Sequence, residues 1–160
     1  MTHPRFSQLT LKHFLFLTEE FGFRVFSKEH DAYGAYVTFT NPTTFVRVSL
    51  EPREGGIFVF VGCLVDGNIP PHPMDVNETT ILHSFDLLDV LSVRSPGASP
   101  PSVSEGPPLA DHVDQSLREL AKALRTHASE ILVGDFKIFE QLSRLVKARA
   151  KSFREGRSSA

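Results

Sequence analysis

Between residues 21 and 64, short apolar runs alternate with turn-forming residues in a rhythm typical of antiparallel β-structure. The turn segments contain Asp, Asn, Pro and Gly. Proline fixes φ and glycine tolerates positive φ, so these segments are expected to reverse the chain. The pattern predicts four strands, at about residues 23–29, 34–41, 44–51 and 57–64.

The third and fourth strands differ in the faces they are expected to bury. In the third, apolar residues at 46, 48 and 50 alternate with polar residues at 47, 49 and 51, which predicts one buried and one solvent-facing side. The fourth, from Ile57 to Val61, is apolar on both sides. It is therefore expected to be a central strand that is covered on both faces.

Helical spacing of apolar residues marks the segments on either side of the strands. Before them, the pattern predicts a helix over 7–20, with Ser7 as N-cap and Gly22 as the residue that ends it. After them, it predicts three helices, at about 78–93, 109–127 and 135–154, the last with Asp135 as N-cap.

A proline-rich connector interrupts these helices at residues 94–108, where large apolar side chains are almost absent. Such a composition cannot form a packed element and is typical of a flexible surface segment. The expected fold is therefore α+β in a single domain of residues 1–160. It has an N-terminal helix, a four-stranded antiparallel meander and three helices, the last two packed as a helical layer on the sheet.

Composition favours a soluble cytoplasmic protein. The chain is 41% hydrophobic and 22% charged, and it has no apolar run long enough to cross a membrane. The N-terminus lacks a small-residue cleavage site, so no signal peptide is expected. Cys63 is the only cysteine, which excludes an intrachain disulfide and suits a reducing compartment. A buried thiol with no adjoining His or Lys is expected to be unreactive.

Four potential ligands around the proline-rich loop suggest a small enzyme or a metal-binding protein as one alternative function. They are His72, Asp75, His83 and Asp86, and the last two are one helical turn apart in the predicted helix. Zinc sites usually use tight pairs such as Cys-x-x-Cys or His-x-x-x-His, and the chain has neither. No metal ligand is assigned.

Signatures of catalysis are also missing. There is no Gly-x-Ser-x-Gly, no phosphate-binding Gly-x-x-x-x-Gly-Lys and no Gly-x-Gly-x-x-Gly. Asp86 and Asp89 form a carboxylate pair suited to acid–base chemistry, but this spacing is more often the wet side of an amphipathic helix. No catalytic residue and no cofactor are assigned.

A second alternative is a nucleic-acid-associated protein that uses the basic last helix. Seven cationic residues lie between positions 137 and 157, including Arg144, Lys147 and Lys151, against only Glu140 and Glu155. Part of this excess is explained by the preference of helix C-termini for cations. Without a groove-reading or base-stacking motif, nucleic acid is the weaker partner.

The leading hypothesis is protein recognition. In the third strand, Phe45 shares the polar side with Arg47, and Tyr33 and Tyr36 lie around the first hairpin turn. Exposed aromatic residues beside charges are common anchors of protein interfaces. The alternative is that a C-terminal helix covers this side and makes Phe45 part of the core. The sequence alone does not distinguish these two arrangements.

Two segments carry a resemblance to known proteins: FLFL-x-x-x-FGF at 14–23 and HA-x-EIL-x-GDF at 127–136. With the element order, they resemble small uncharacterised bacterial single-domain proteins, some of which are similar to immunity proteins of toxin–antitoxin and contact-dependent systems. The resemblance implies no catalytic residues. It implies a non-enzymatic protein-binding domain that acts as an immunity-type inhibitor of a partner toxin.

Overall fold

The N-terminal part of the chain is helical, as predicted, but it forms two helices rather than one. The computed structural model describes residues 2–54, 56–97 and 110–158. Helix α1 spans His3–His13 and helix α2 spans Leu15–Phe21, with Phe14 between them in a non-helical conformation.

Local hydrogen bonds determine where these two helices begin and end. The Thr2 side chain accepts a hydrogen bond of 3.3 Å from the Arg5 backbone N–H and thereby caps α1. Ser7 lies inside α1, so its prediction as N-cap was wrong. Gly22 ends α2 in the left-handed conformation, with a φ of 71°, as predicted.

The four predicted strands are present as an antiparallel meander. Strand β1 spans Arg24–His30, β2 spans Ala35–Thr40, β3 spans Thr44–Glu51 and β4 spans Gly56–Cys63. Each pairs with the next, so the order of strands in the sheet follows their order in the chain. A short 3₁₀ helix, Pro52–Glu54, precedes β4.

A fifth strand, β5 (Ser84–Asp86), extends the sheet beside β4. It lies within the segment 78–93, of which only the second part is helical, as α3 (Leu87–Arg94). The Asp86 carboxylate accepts a hydrogen bond of 2.8 Å from the Leu88 backbone N–H and caps α3. The four-stranded sheet and the helix over residues 78–86 were therefore wrong predictions.

The C-terminal part contains α4 (Ala110–His127), α5 (Ser129–Leu132) and α6 (Phe139–Ser158). Helix α4 lies where it was predicted, whereas the short α5 was not predicted. Gly134, with a φ of 91°, follows α5 and ends this helical segment, as predicted. Asp135 was wrong as the N-cap of the last helix, because α6 begins only at Phe139.

One hydrophobic cluster joins the helices to one face of the sheet. From the sheet it includes alternating residues of the central strands, among them Val37, Val48 and Val59. From the helices it includes Phe6, Leu17, Val90, Leu117, Ile131 and Leu142. The helical layer is therefore broader than the two C-terminal helices predicted to form it.

Helix α6 is tied to the body by three of its cations. Arg149 pairs with Asp89 of α3 at 2.6 Å, and Lys147 donates to the Glu78 carbonyl at 3.2 Å. Arg154 donates to the carbonyl of Val76. These three side chains contact the rest of the protein and are therefore less available to a polyanion.

The pairing of α1 with α4 predicts a stability that depends on pH. His13 Nε2 and Asp114 Oδ1 are 2.5 Å apart, and this hydrogen bond lowers the pKa of Asp114. A lowered pKa stabilises the folded state above about pH 4, the unfolded value, and this contribution is lost as pH falls through the folded pKa. The stability difference between the native chain and Asp114→Asn should therefore shrink as the pH of urea denaturation is lowered from 6 to 3. A difference that stays constant with pH would contradict this.

Most of the proline-rich connector lies outside the described residues, which stop at 97 and resume at 110. Its predicted flexibility therefore stays a prediction. Within the part of the chain that is described, no helix combines the length and apolar character needed to cross a bilayer.

Candidate functional site

The face of the sheet opposite the hydrophobic cluster carries most of the residues predicted to bind a protein. Strand pairing places Tyr36 opposite Ser49, Thr38 opposite Arg47 and Thr40 opposite Phe45. Paired residues point to the same side, so Tyr36, Phe45 and Arg47 lie on one face. We call this the outer face, and its other members are Thr38, Thr40, Ser49, Phe58, Phe60 and Gly62.

Phe45 is buried, at 4% exposure, although it does not belong to the hydrophobic cluster that joins the helices to the sheet. Its ring lies against Gly62 in the neighbouring strand. A Cβ atom at position 62 would lie 2.5 Å from the ring's Cε1 atom. The hypothesis that Phe45 is an exposed anchor was therefore wrong, and its part in the outer face is to pack against β4.

The solvent-facing side predicted for the third strand was also wrong. Ser49 is only 1% exposed, and Arg47 and Glu51 are half-buried. The Ser49 hydroxyl has no hydrogen-bond partner among the described residues. A strand with both faces shielded matches the pattern expected of a central position, which β3 occupies in the order β1 to β5.

Arg47 and Tyr36 are held in place by polar contacts on the outer face. Arg47 donates from Nε to the Thr38 hydroxyl at 3.3 Å. The Tyr36 hydroxyl donates to the Asp31 carboxylate at 3.4 Å. Burial, followed by the nearby carboxylates of Asp31 and Glu51, raises the pKa of Tyr36, so its hydroxyl stays a hydrogen-bond donor at neutral pH.

Tyr33 lies at the rim of this face, in the turn between β1 and β2. Asp31 shapes the turn, because its carboxylate accepts hydrogen bonds from the backbone N–H groups of Tyr33 and Gly34 at 2.7 and 3.0 Å. The Tyr33 ring is 64% exposed, and the Arg53 guanidinium lies 5.9 Å from its centre. Of the four predicted residues, Tyr33 is the one most open to a partner.

Phe58 and Phe60 were missed as candidates. They alternate with Ile57, Val59 and Val61, which belong to the hydrophobic cluster, so they point to the outer face. Both are half-buried, and neither belongs to the hydrophobic cluster that joins the helices to the sheet. The alternation was visible in the sequence, but it was taken to mean cover on both sides.

The four potential metal ligands do not assemble. His72 and Asp75 are exposed in the loop, and no group of three His, Cys, Asp or Glu side chains suited to a metal occurs among the described residues. His83 instead faces Cys63, with 3.6 Å between Nδ1 and Sγ. The prediction that no His lies beside Cys63 was therefore wrong. Burial nevertheless raises the pKa of the Cys63 thiol.

The carboxylate pair on the third helix has structural partners. Asp86 caps α3, and burial raises the pKa of its carboxyl group. Asp89 is occupied by two hydrogen bonds from Arg149, at 2.6 and 3.4 Å. Both carboxylates are therefore engaged in contacts that hold α3 and α6.

Models of protein families, curated proteins and solved structures were each compared with the chain, and none of the three comparisons gave a match. The resemblance to immunity proteins therefore stays a prediction.

Proposed function

We propose that this chain is a non-enzymatic protein-binding domain that acts in the cytoplasm as an immunity-type inhibitor of a partner toxin. The outer face is the proposed contact surface. The observation that carries the proposal is the row of half-buried aromatic side chains, Tyr36, Phe58 and Phe60, with Arg47 among them. None of the three rings belongs to the hydrophobic cluster that joins the helices to the sheet.

The chemistry of the row suits a protein partner. Tyr, Phe and Arg are enriched at the centres of interfaces, where their large side chains exclude water. Arg47 is already held by Thr38, so little side-chain entropy is lost when a partner binds. At the rim, Tyr33 and Arg53 extend the same combination of an aromatic ring and a cation.

The alternative functions find less support in the described residues. For a metal-binding protein or metalloenzyme that uses the region of His72 and His83, the described residues contain no group of three His, Cys, Asp or Glu side chains suited to a metal. A nucleic-acid-associated protein would use α6. Of the three cations singled out there, Lys147 donates to the protein itself while Arg144 and Lys151 are exposed, and Arg149 and Arg154 are also bonded to the protein. Binding of a protein partner is therefore the function to test first.

Site-specific cross-linking in the native host tests the location of the contact. A photoreactive phenylalanine analogue at position 58 should form an adduct with one protein. The same analogue at the exposed Val133, outside the outer face, should form none. Adducts from both positions, or from position 133 alone, would contradict the proposal.

The purified pair then gives the energetic test. Arg47→Ala should weaken binding of the cross-linked partner by about tenfold or more, as central arginines of interfaces do. The melting temperature should change little, because Arg47 makes a single described hydrogen bond. Arg144→Ala, at an exposed position of α6, is the matched control and should leave the affinity unchanged. Equal affinities for the native chain and Arg47→Ala would refute the proposed surface.

A further inference from the structure

A cavity of about 430 Å³ lies at one end of the sheet, where three segments of the chain meet. The start of β1 supplies Arg24 and Phe26, and the turn between β2 and β3 supplies Pro42. The hairpin after β4 supplies Leu64 and Ile69. Its volume lies within the range of about 300–1,000 Å³ that is usual for small-molecule sites.

Hydrogen bonds hold two of these walls in place. The Asn41 side chain fixes the β2–β3 turn through bonds to the Thr43 and Thr44 backbone N–H groups, at 3.0 and 2.8 Å. In the hairpin, Val65 and Asn68 exchange backbone hydrogen bonds of 2.9 and 3.0 Å. The cavity is therefore formed before any ligand arrives.

Phe26 gives the cavity an exposed aromatic wall. It lies at a bulge, where the register of β1 against β2 shifts between Val25 and Ser27. The bulge leaves the Phe26 ring 58% exposed. An exposed ring of this size beside Leu64 and Ile69 is unfavourable in water and would gain free energy if an apolar group covered it.

Arg24 gives the cavity its charge. Of the described residues that line it, Arg24 alone is charged. Its side chain is exposed and forms no hydrogen bond or ion pair with any described residue. A guanidinium group in this setting is suited to a carboxylate, which it can bind with two parallel hydrogen bonds.

We propose that this cavity binds a small amphipathic carboxylate, with its carboxylate on Arg24 and its apolar part against Phe26. The opposite charge of the ligand follows from Arg24, and its apolar part from the lining of Phe26, Pro42, Leu64 and Ile69. The inference does not rest on the proposed protein-binding function, since the ligand is a free small molecule.

Titration of the full-length chain with 3-phenylpropionate, followed by backbone amide NMR, tests the proposal. Shift changes should concentrate at residues 24–26, 41–42 and 64–69. The neutral analogue 3-phenylpropionamide should bind about tenfold more weakly, because it lacks the charge that Arg24 recognises. Arg24→Gln should weaken binding of the acid by a similar factor and leave binding of the amide unchanged.

Arg144→Gln is the matched control, because Arg144 is exposed on α6 and does not line the cavity. It should leave the affinity for the acid unchanged. The proposal is overturned if acid and amide bind equally, if Arg24→Gln retains full affinity, if the shift changes map elsewhere, or if the acid does not bind at millimolar concentration. Unchanged melting temperatures exclude misfolding of either variant as the cause.

Discussion

Replacing Asn41 with alanine should lower the free energy of unfolding by about 3 kcal/mol, because several part-buried backbone groups would lose their hydrogen-bond partners at once. The Asn41 amide nitrogen donates to the Phe21 carbonyl at 3.2 Å and to the Leu132 carbonyl at 2.9 Å. These carbonyls end α2 and α5. The Asn41 oxygen accepts from the Thr43 and Thr44 backbone N–H groups. One side chain therefore joins two helix ends to the β2–β3 turn, and urea denaturation measures its contribution.

Asn41→Asp separates the two halves of this network. The aspartate keeps an oxygen for the turn, but its second oxygen would face the carbonyls of Phe21 and Leu132 without a proton to share. It should therefore destabilise the fold at least as much as alanine at neutral pH. Asn77 is a suitable control, because its oxygen accepts from Thr79 and Thr80 within one exposed loop. Asn77→Ala should cost about 0.5 kcal/mol or less. Similar losses at positions 41 and 77 would show that the link to the helices contributes little.

Gly62→Ala should destabilise the chain by about 3 kcal/mol, the upper range for overpacking a well-filled site. The added Cβ would lie 2.5 Å from Cε1 of Phe45 and 2.6 Å from the backbone oxygen of His83. That oxygen accepts the Cys63 N–H at 2.8 Å, where β4 meets the segment leading into β5. The substitution therefore strains the ring on the outer face and the β4–β5 pairing together. Thermal and urea denaturation measure the loss.

A variant that lacks the Phe45 ring separates the clash with that ring from the clash with the His83 backbone oxygen. In a chain that carries Phe45→Leu, the ring contact is absent, and Gly62→Ala should cost less than in the native chain. Some loss should remain, because the backbone oxygen of His83 cannot move aside as a side chain can. Gly156→Ala, at a helical position where the added Cβ would meet open space, should be neutral or stabilising. An equal loss at position 62 in both backgrounds would show that Phe45 does not pack there as described.

The strands could be predicted because their determinants are local. Strand β3 occupies the predicted residues 44–51, where alternation and flanking turns both mark the boundaries. Strand β5 could not, because it is only three residues long and forms through pairing with β4. Ile81, Phe85 and Leu88 have helical spacing, yet Ile81 is exposed and Phe85 belongs to a strand. Over so short a segment, apolar spacing does not separate helix from strand.

For the candidate site, the sequence predicts which side chains share one side of β3, but it does not predict how exposed they are. Alternation places Phe45 and Arg47 on one side of β3, which the sheet confirms. The burial of Phe45 depends on its pairing with Gly62, which requires the register between β3 and β4. The contact of Cys63 with His83 likewise depends on β5 and is invisible to a search for sequence motifs. Register and pairing are non-local properties, which a single sequence does not reveal.

The order of strands in the sheet has a consequence for how the chain folds. Because β1 to β4 pair only with chain neighbours, the meander can form hairpin by hairpin without closing long loops. The hydrogen bond from Asn41 to Leu132 joins residues 91 positions apart, so it can form only after the C-terminal helices have packed on the sheet. We therefore expect the sheet to form early in folding. The hydrogen bonds from Asn41 to the ends of α2 and α5 should form last, when the helical layer packs on the sheet.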